Sequence, residues 1–197
     1  MVISITYLAQ ILICYCIGSV MSAIWVARWF KLPDPRSFGS KNPGATNMMR
    51  SANPKAAALT FILDIIKGVL TTQIALNSGY DIQHAYICGI AATLGHIFPA
   101  FHHFRGGKGV ATHFGVVVTV YPVIGLIALC IWVVTLYLSK NSGLSAIVCA
   151  IITPLLVSLY SNHMILIITN TLMSILIIVS HHKNIYGLLS PRQQRVA

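Results

Sequence analysis

Apolar residues run along this chain in long stretches separated by short polar islands. A helix rises about 1.5 Å per residue, so about 20 apolar residues cross the hydrocarbon core of a bilayer. The first stretch, residues 2–27, reaches that length without a charge. Its first positive residue is Arg28, so it lacks the basic start of a cleaved signal and reads as a retained span. Later stretches cover residues 56–77, 84–101, 109–139, 143–160 and 163–180. The stretch 109–139 is too long for one crossing, and Pro122 within it cannot continue a helix from inside.

The placement of cations decides how to count. Arg28, Lys31, Arg36, Lys41, Arg50 and Lys55 fill the first island, Arg105 and Lys108 the second, Lys140 precedes the fifth stretch, and Lys183, Arg192 and Arg195 end the chain. Positive loops face the cytoplasm. A break at Tyr121-Pro122 puts all of them on that side, and the opposite connections, near residues 78–83, Tyr121 and Ser161, carry no Lys or Arg. The prediction is an all-α integral membrane protein of seven transmembrane helices, some short, with the N-terminus out and the C-terminus in. Five or six spans is the competing count. The whole chain, 1–197, reads as a single membrane-embedded domain.

Composition agrees and excludes other classes. Hydrophobic residues make up 56%, charged residues 8%, and the mean hydropathy is +0.79. Soluble domains carry about 25% charged residues, so a soluble domain, a disordered chain and a disulfide-stapled module all fail. Lys and Arg number 13 against 3 acids, for a net charge of +10. That excess suits anionic lipid or a phosphorylated ligand. Nucleic acid is not an expected partner, because the cations sit between apolar stretches and form no solvated basic face. Cys14, Cys16, Cys88, Cys130 and Cys149 lie inside the apolar stretches, where a thiol acts as a small hydrophobe, and show no metal-ligand or disulfide spacing. No metal and no cofactor is expected.

Three polar islands carry the candidate chemistry. The first reads Ser37-Phe-Gly-Ser-Lys-Asn-Pro-Gly-Ala-Thr-Asn47, dense in residues that permit close backbone approach. Outward N–H groups beside Ser40, Lys41, Thr46, Asn47 and Arg50 would suit a phosphate; the bland alternative is a turn-rich connector. The second, Gly95-His96 to Lys108-Gly109, interleaves glycines with Arg105 and Lys108 ahead of a helix. Positive-inside anchoring explains the cations but not the glycines. In the third, His181-His-Lys-Asn184, the i, i+3 spacing lets His181 and Asn184 share a face while His182 points away. Asp64 and Lys67 lie within a span at the same spacing, either neutralising each other or supporting the polar face from behind.

Together these islands resemble the membrane-embedded acyl-phosphate:glycerol-3-phosphate acyltransferases of bacterial phospholipid synthesis. The first family motif is seen from Gly39-Ser40 through Asn47 to Arg50, the second in Gly95-His96 to Pro99 followed by Gly106-Gly107-Lys108-Gly109-Val110-Ala111-Thr112, and the third in His181-x-x-Asn184. The chain departs from the family at Ser180 and Lys183, where relatives tend to carry Arg and an acid, and at Gly143 before Leu144. The resemblance implies transfer of a fatty acyl group from acyl phosphate to the 1-hydroxyl of glycerol 3-phosphate, at the cytoplasmic face of the bacterial inner membrane. It implies catalytic roles for Ser40, Lys108 and His181. It implies substrate binding by Arg50, Asn184, Thr46, Asn47, Gly44 and Gly107. The expected partners are glycerol 3-phosphate, acyl phosphate and membrane lipid, with the protein functional as a monomer.

Acyl phosphate is already activated, so direct attack by the glycerol hydroxyl is expected, with no acyl-enzyme. His181 then positions a phosphate whose own oxygen takes the proton, or is itself the general base; with no carboxylate at hand beside it in the sequence to orient it, the first is the expectation. Rivals from other classes are a carrier for a phosphorylated solute and a lipid-binding subunit without catalysis.

Overall fold

The computed structural model describes residues 4–189. Val2, at the start of the first apolar stretch, and Arg192 and Arg195, in the terminal basic set, lie outside the described residues. The described residues form helices α1 (Ile5–Gly18), α2 (Ser22–Trp29), α3 (Ala45–Met49), α4 (Pro54–Asn77), α5 (Ile82–Ile97), α6 (Val110–Val120), α7 (Pro122–Ser139), α8 (Ser142–Tyr160), α9 (Met164–Ser180) and α10 (His182–Leu189), with a 3₁₀ turn at Ala100–His102. They fall into two compact units, Met1–Gly125 and Leu126–Ala197.

In the first unit the opening stretch qualifies as a single span, as expected, and it is built of two helices, α1 and α2. The carbonyls exposed at the break find a donor in Lys67 of α4, whose Nζ donates to the oxygens of Gly18 at 3.3 Å and Val20 at 3.0 Å. Ser19 Oγ donates to the Tyr15 carbonyl at 2.9 Å. These bonds meet the rule that backbone groups at membrane depth be satisfied within the protein.

Helices α1 and α5 run side by side in the same direction. Tyr7 stacks on His84 at one end, and at the other a Cβ on Gly18 or Gly95 would overlap the carbonyls of Ala92 or Tyr15. Helices α4 and α6 meet as closely, with Gly68 against the Thr112 carbonyl and Gly115 against that of Ile65. Helices in lipid gain by such approach, since apolar side chains gain little by leaving the hydrocarbon for each other. Because α1 and α5 are parallel, the loop after α2 and the loop after α5 leave the same end of the unit. Tyr15 Oη there donates to the Phe98 carbonyl at 2.5 Å, and the Ala100 amide donates to Ser19 Oγ at 3.2 Å.

The break expected at Tyr121-Pro122 is present, since α6 ends at Val120 and α7 begins at Pro122. The turn is sharp enough that a Cβ on Gly125 would overlap Val118. With 11 residues, α6 is about 16 Å long, half the thickness of a hydrocarbon core.

In the second unit α8 packs along α9, and Cys149 Sγ donates to the Ala128 carbonyl at 3.2 Å. Helices α9 and α10 meet at a bend of 59°. By length and apolarity five helices among the described residues qualify as membrane spans, with α1 and α2 taken as one, and the bent α9–α10 pair makes up to 6. Helix α6 falls short of that length.

Candidate functional site

The first motif is a loop held by one side chain. Asn47, on the short α3, is 1% exposed. Its Oδ1 accepts from the Ser40 amide at 2.8 Å, and its Nδ2 donates to the carbonyls of Pro35 at 2.7 Å and Phe38 at 3.2 Å. Two donors and an acceptor on one buried amide replace the water this turn would otherwise need. Gly39 has φ +56°, and a Cβ there would strike Asn47 Oδ1 and come within 2.9 Å of Arg50 Cδ. Only glycine takes that left-handed backbone with so little space. The turn thus brings Ser40, Asn47 and Arg50 together, with Ser40, Thr46 and Arg50 exposed. Gly44 caps α3, its carbonyl accepting from the amides of Asn47 and Met48 at 3.0 and 3.1 Å. At the loop's entry Arg36 Nη2 lies 2.6 Å from Asp34 Oδ2, and its hydrogen bonds hold the Asp34 carboxyl below the usual carboxylate range.

The second motif is a loop held from beneath. The amides of Gly106 and Gly107 donate to the carbonyls of Ile97 at 3.2 Å and His96 at 3.0 Å, folding the glycines back over the end of α5. A Cβ on Gly107 would overlap His96 Nε2, so the imidazole fills the space under that residue. On the far side of the ring, His96 Nδ1 is 3.5 Å from Asp64 Oδ1, and the same oxygen is 3.0 Å from Lys67 Nζ. Gly109, with φ +81°, starts α6, and Lys108 beside it is half-buried. The two loops are neighbours, because His102 lies within electrostatic reach of Arg36, Asp34 and Arg28.

The third motif sits at the bend of the second unit. His181 is the residue between α9 and α10, and it is buried. Its Nδ1 is 2.8 Å from the Ile177 carbonyl, which can only accept. The proton of the neutral ring therefore belongs on Nδ1, and Nε2 is its basic atom. The Asn184 amide donates to the His181 carbonyl at 2.8 Å, and a Cβ on Gly143 would overlap the Asn184 side chain. His182 is exposed, as its spacing predicts.

The structure therefore collects Ser40, Gly44, Thr46, Asn47, Arg50, Gly107 and Lys108 in the first unit and places His181 and Asn184 in the second. Asn47 takes part through the loop it organises. Reading the sequence alone put Gly39 and His96 inside the motifs without the supporting roles the structure gives them, and gave Gly143 only as a departure; that departure was itself the signal, a glycine where Asn184 needs room.

Comparison with known proteins supplies the context. The family model described as glycerol-3-phosphate acyltransferase matches residues 8–191, a range that runs through both units. A glycerol-3-phosphate acyltransferase of Shewanella woodyi is 41% identical over 195 residues, spanning 99% of this chain and 96% of its own. One of Burkholderia multivorans is 43% identical over 188 residues, spanning 94% and 88%. The crystal structure of PlsY, an integral membrane glycerol 3-phosphate acyltransferase, in its glycerol 3-phosphate form superimposes with a TM-score of 0.89 at 33% identity, covering 98% of this chain and 96% of that one. Its lysophosphatidic acid form gives 0.87 at the same identity, covering 95% and 93%.

Proposed function

The chain belongs to the glycerol-3-phosphate acyltransferase family, and from that premise we propose that it moves a fatty acyl group from acyl phosphate to the 1-hydroxyl of sn-glycerol 3-phosphate. The products are 1-acyl-sn-glycerol 3-phosphate and phosphate. The observation that carries this reading is the built first loop: a buried amide and a left-handed glycine hold Ser40 and Arg50 in one exposed turn. A connector that only joined two spans would need neither.

Both substrates carry phosphate dianions. Arg50 and Lys108 supply charge to them, Ser40 and Asn184 supply directional donors, and Thr46, Gly44 and Gly107 line the turns. The glycerol hydroxyl oxygen attacks the acyl carbonyl carbon, the bond to the phosphate oxygen breaks, and phosphate leaves with the electron pair. An activated anhydride needs no enzyme nucleophile. The hydroxyl proton passes to a phosphate oxygen of substrate, with His181 holding a phosphate.

One observation favours a second reading of that last step. The Ile177 carbonyl orients His181 as a carboxylate would, leaving Nε2 basic, which suits a general base. His181→Gln separates the two: loss of kcat with the KM for glycerol 3-phosphate unchanged selects the base, and a raised KM selects the phosphate ligand.

We further assign seven membrane crossings, counting α6 as one, with the N-terminus outside and the C-terminus in the cytoplasm of a bacterial inner membrane. This places the basic loops and the reaction on the cytoplasmic side, consistent with the positive-inside rule. A single domain acting as a monomer completes the proposal.

The deciding experiment offers purified protein in lipid radiolabelled glycerol 3-phosphate with acyl phosphate, acyl-CoA or acyl carrier protein as donor. The expected result is product from acyl phosphate alone, lost in Lys108→Ala. Folded protein that binds phosphate but makes no product from any donor would overturn the reading in favour of a carrier.

A further inference from the structure

The polar groups under the glycine loop form a continuous line across three elements. It starts at the carbonyls of Gly18 and Val20 in the broken first span, passes through Lys67 Nζ to Asp64 Oδ1, then to His96, and ends under the backbone of Gly107. All three side chains are buried, with exposures of 6% for Lys67, 3% for Asp64 and 4% for His96.

Stability does not account for them. Charges inside a membrane are costly, and replacing a buried ion pair by well-packed apolar residues is often neutral or stabilising. What charged and hydrogen-bonding groups supply, and apolar packing does not, is a fixed register between the parts they join. Here the parts are the two loops of the candidate site. Helix α2 leads from the break directly into the loop of Ser40 and Arg50, while His96 supports the loop of Lys108 with both its carbonyl and its ring.

We propose that Asp64, Lys67 and His96 are a positioning triad for the acyl transfer proposed above, fixing the spacing between the loop that bears Ser40 and Arg50 and the loop that bears Lys108. The inference rests on that reading of the function. The triad does not touch substrate. It acts through the backbone of residues 18–20 and 106–108. Two further bonds brace the same joint in parallel, Tyr15 Oη to the Phe98 carbonyl and the Ala100 amide to Ser19 Oγ. Of the three acids in the chain, Asp64 is the one set in the middle of this line, with Oδ1 3.0 Å from the Lys67 cation on one side and 3.5 Å from the His96 ring on the other.

The test uses the full chain in lipid, with initial rates per folded enzyme over both substrates. Asp64→Asn and His96→Asn are each expected to lower kcat/KM at least tenfold while the folded fraction stays near wild type. If Asp64→Asn alone does not fold, Asp64→Asn with Lys67→Met, which removes the stranded cation, takes its place under the same expectation. The sharper readout is a size exchange. Gly107→Ala drives a methyl into the His96 ring and is expected to inactivate; adding His96→Ser makes room and is expected to restore at least tenfold. A residue that merely stabilised the core would add damage instead. Variants within twofold of wild type, or a double variant no better than Gly107→Ala, would overturn the triad. A wild type that makes no product from acyl phosphate brings down the functional reading itself, a different result from an active wild type with indifferent variants. Thermal unfolding of the same set reads the His96–Gly107 contact without any reaction: a shift in the double variant smaller than the sum of the single shifts supports it, and additive shifts remove it.

Discussion

The two loops of the first unit carry similar residues and are held in opposite ways. The loop of Ser40 and Arg50 is organised from within, by the Asn47 amide bonded to its own turn. The loop of Lys108 is organised from below, by α5 and an ionic line whose other end lies in the first span. The 24 residues from Phe30 to Asn53 have enough chain to hold a turn of their own and to dock it, through Met48 and Phe38, on Ala23, Val26 and Ala27 of α2 and Ala57 of α4. The short glycine run before α6 has no side chains for that. It must borrow its shape from the helices it lies on.

This contrast predicts graded effects. The largest falls on Lys108, the cation both arrangements serve: Lys108→Ala should cut kcat by about 100-fold or more in the acyl phosphate assay, the scale of losing one preorganised charge donor. Next comes the support from below. Lys67→Met strands Asp64 beside His96 and should cost about 3–5 kcal/mol of stability, read as a lower unfolding temperature in detergent. Adding Asp64→Leu should recover most of that stability without restoring activity. Third is the support from within. Asn47→Ala leaves the Ser40 amide and two carbonyls unpaired, at about 1–3 kcal/mol, and limited proteolysis should then cut within residues 35–47 before any helix is lost. If Asn47→Ala lowers global stability as far as Lys67→Met, the two loops are not held differently and the contrast fails.

The smallest effect concerns the surface pair at the loop's entry. The folded-state carboxyl of Asp34 is depressed by Arg36, so the stabilisation is present above the usual carboxylate range and is lost as pH falls through the depressed value. The pair is exposed, with side-chain exposures of 44% and 39%, and such pairs contribute at most about 1 kcal/mol. Asp34→Asn should shift the unfolding temperature barely at neutral pH, and the difference should shrink further as pH falls through the depressed value.

Much of this arrangement can be read from the residues in order. The apolar stretches locate the helices, Pro122 marks the turn after α6, and glycines among cations mark both loops. The i, i+3 spacing of Asp64 and Lys67 announces a pair. What escapes a linear reading is whatever depends on a partner far along the chain. Gly18-Ser19 looks like any small-residue step in a span, and only Lys67, 49 residues on, shows why the helix can stop there. The place of His96 beside Asp64 and under Gly107 is likewise a product of packing. So is the His181 ring, whose orientation comes from a carbonyl that has no side-chain signature.

Helix α6, with its 11 residues, matches only about half of an ordinary bilayer's apolar thickness. Counted as a crossing, as proposed above, it would not bring both ends to the headgroups, so either the membrane would thin around it or one end would stay at depth, shielded by the buried face from Thr112 to Val117. On that proposal lipid tail length becomes a mechanical variable: vesicles of short-tailed lipid match a helix of this length, and long-tailed lipid widens the mismatch.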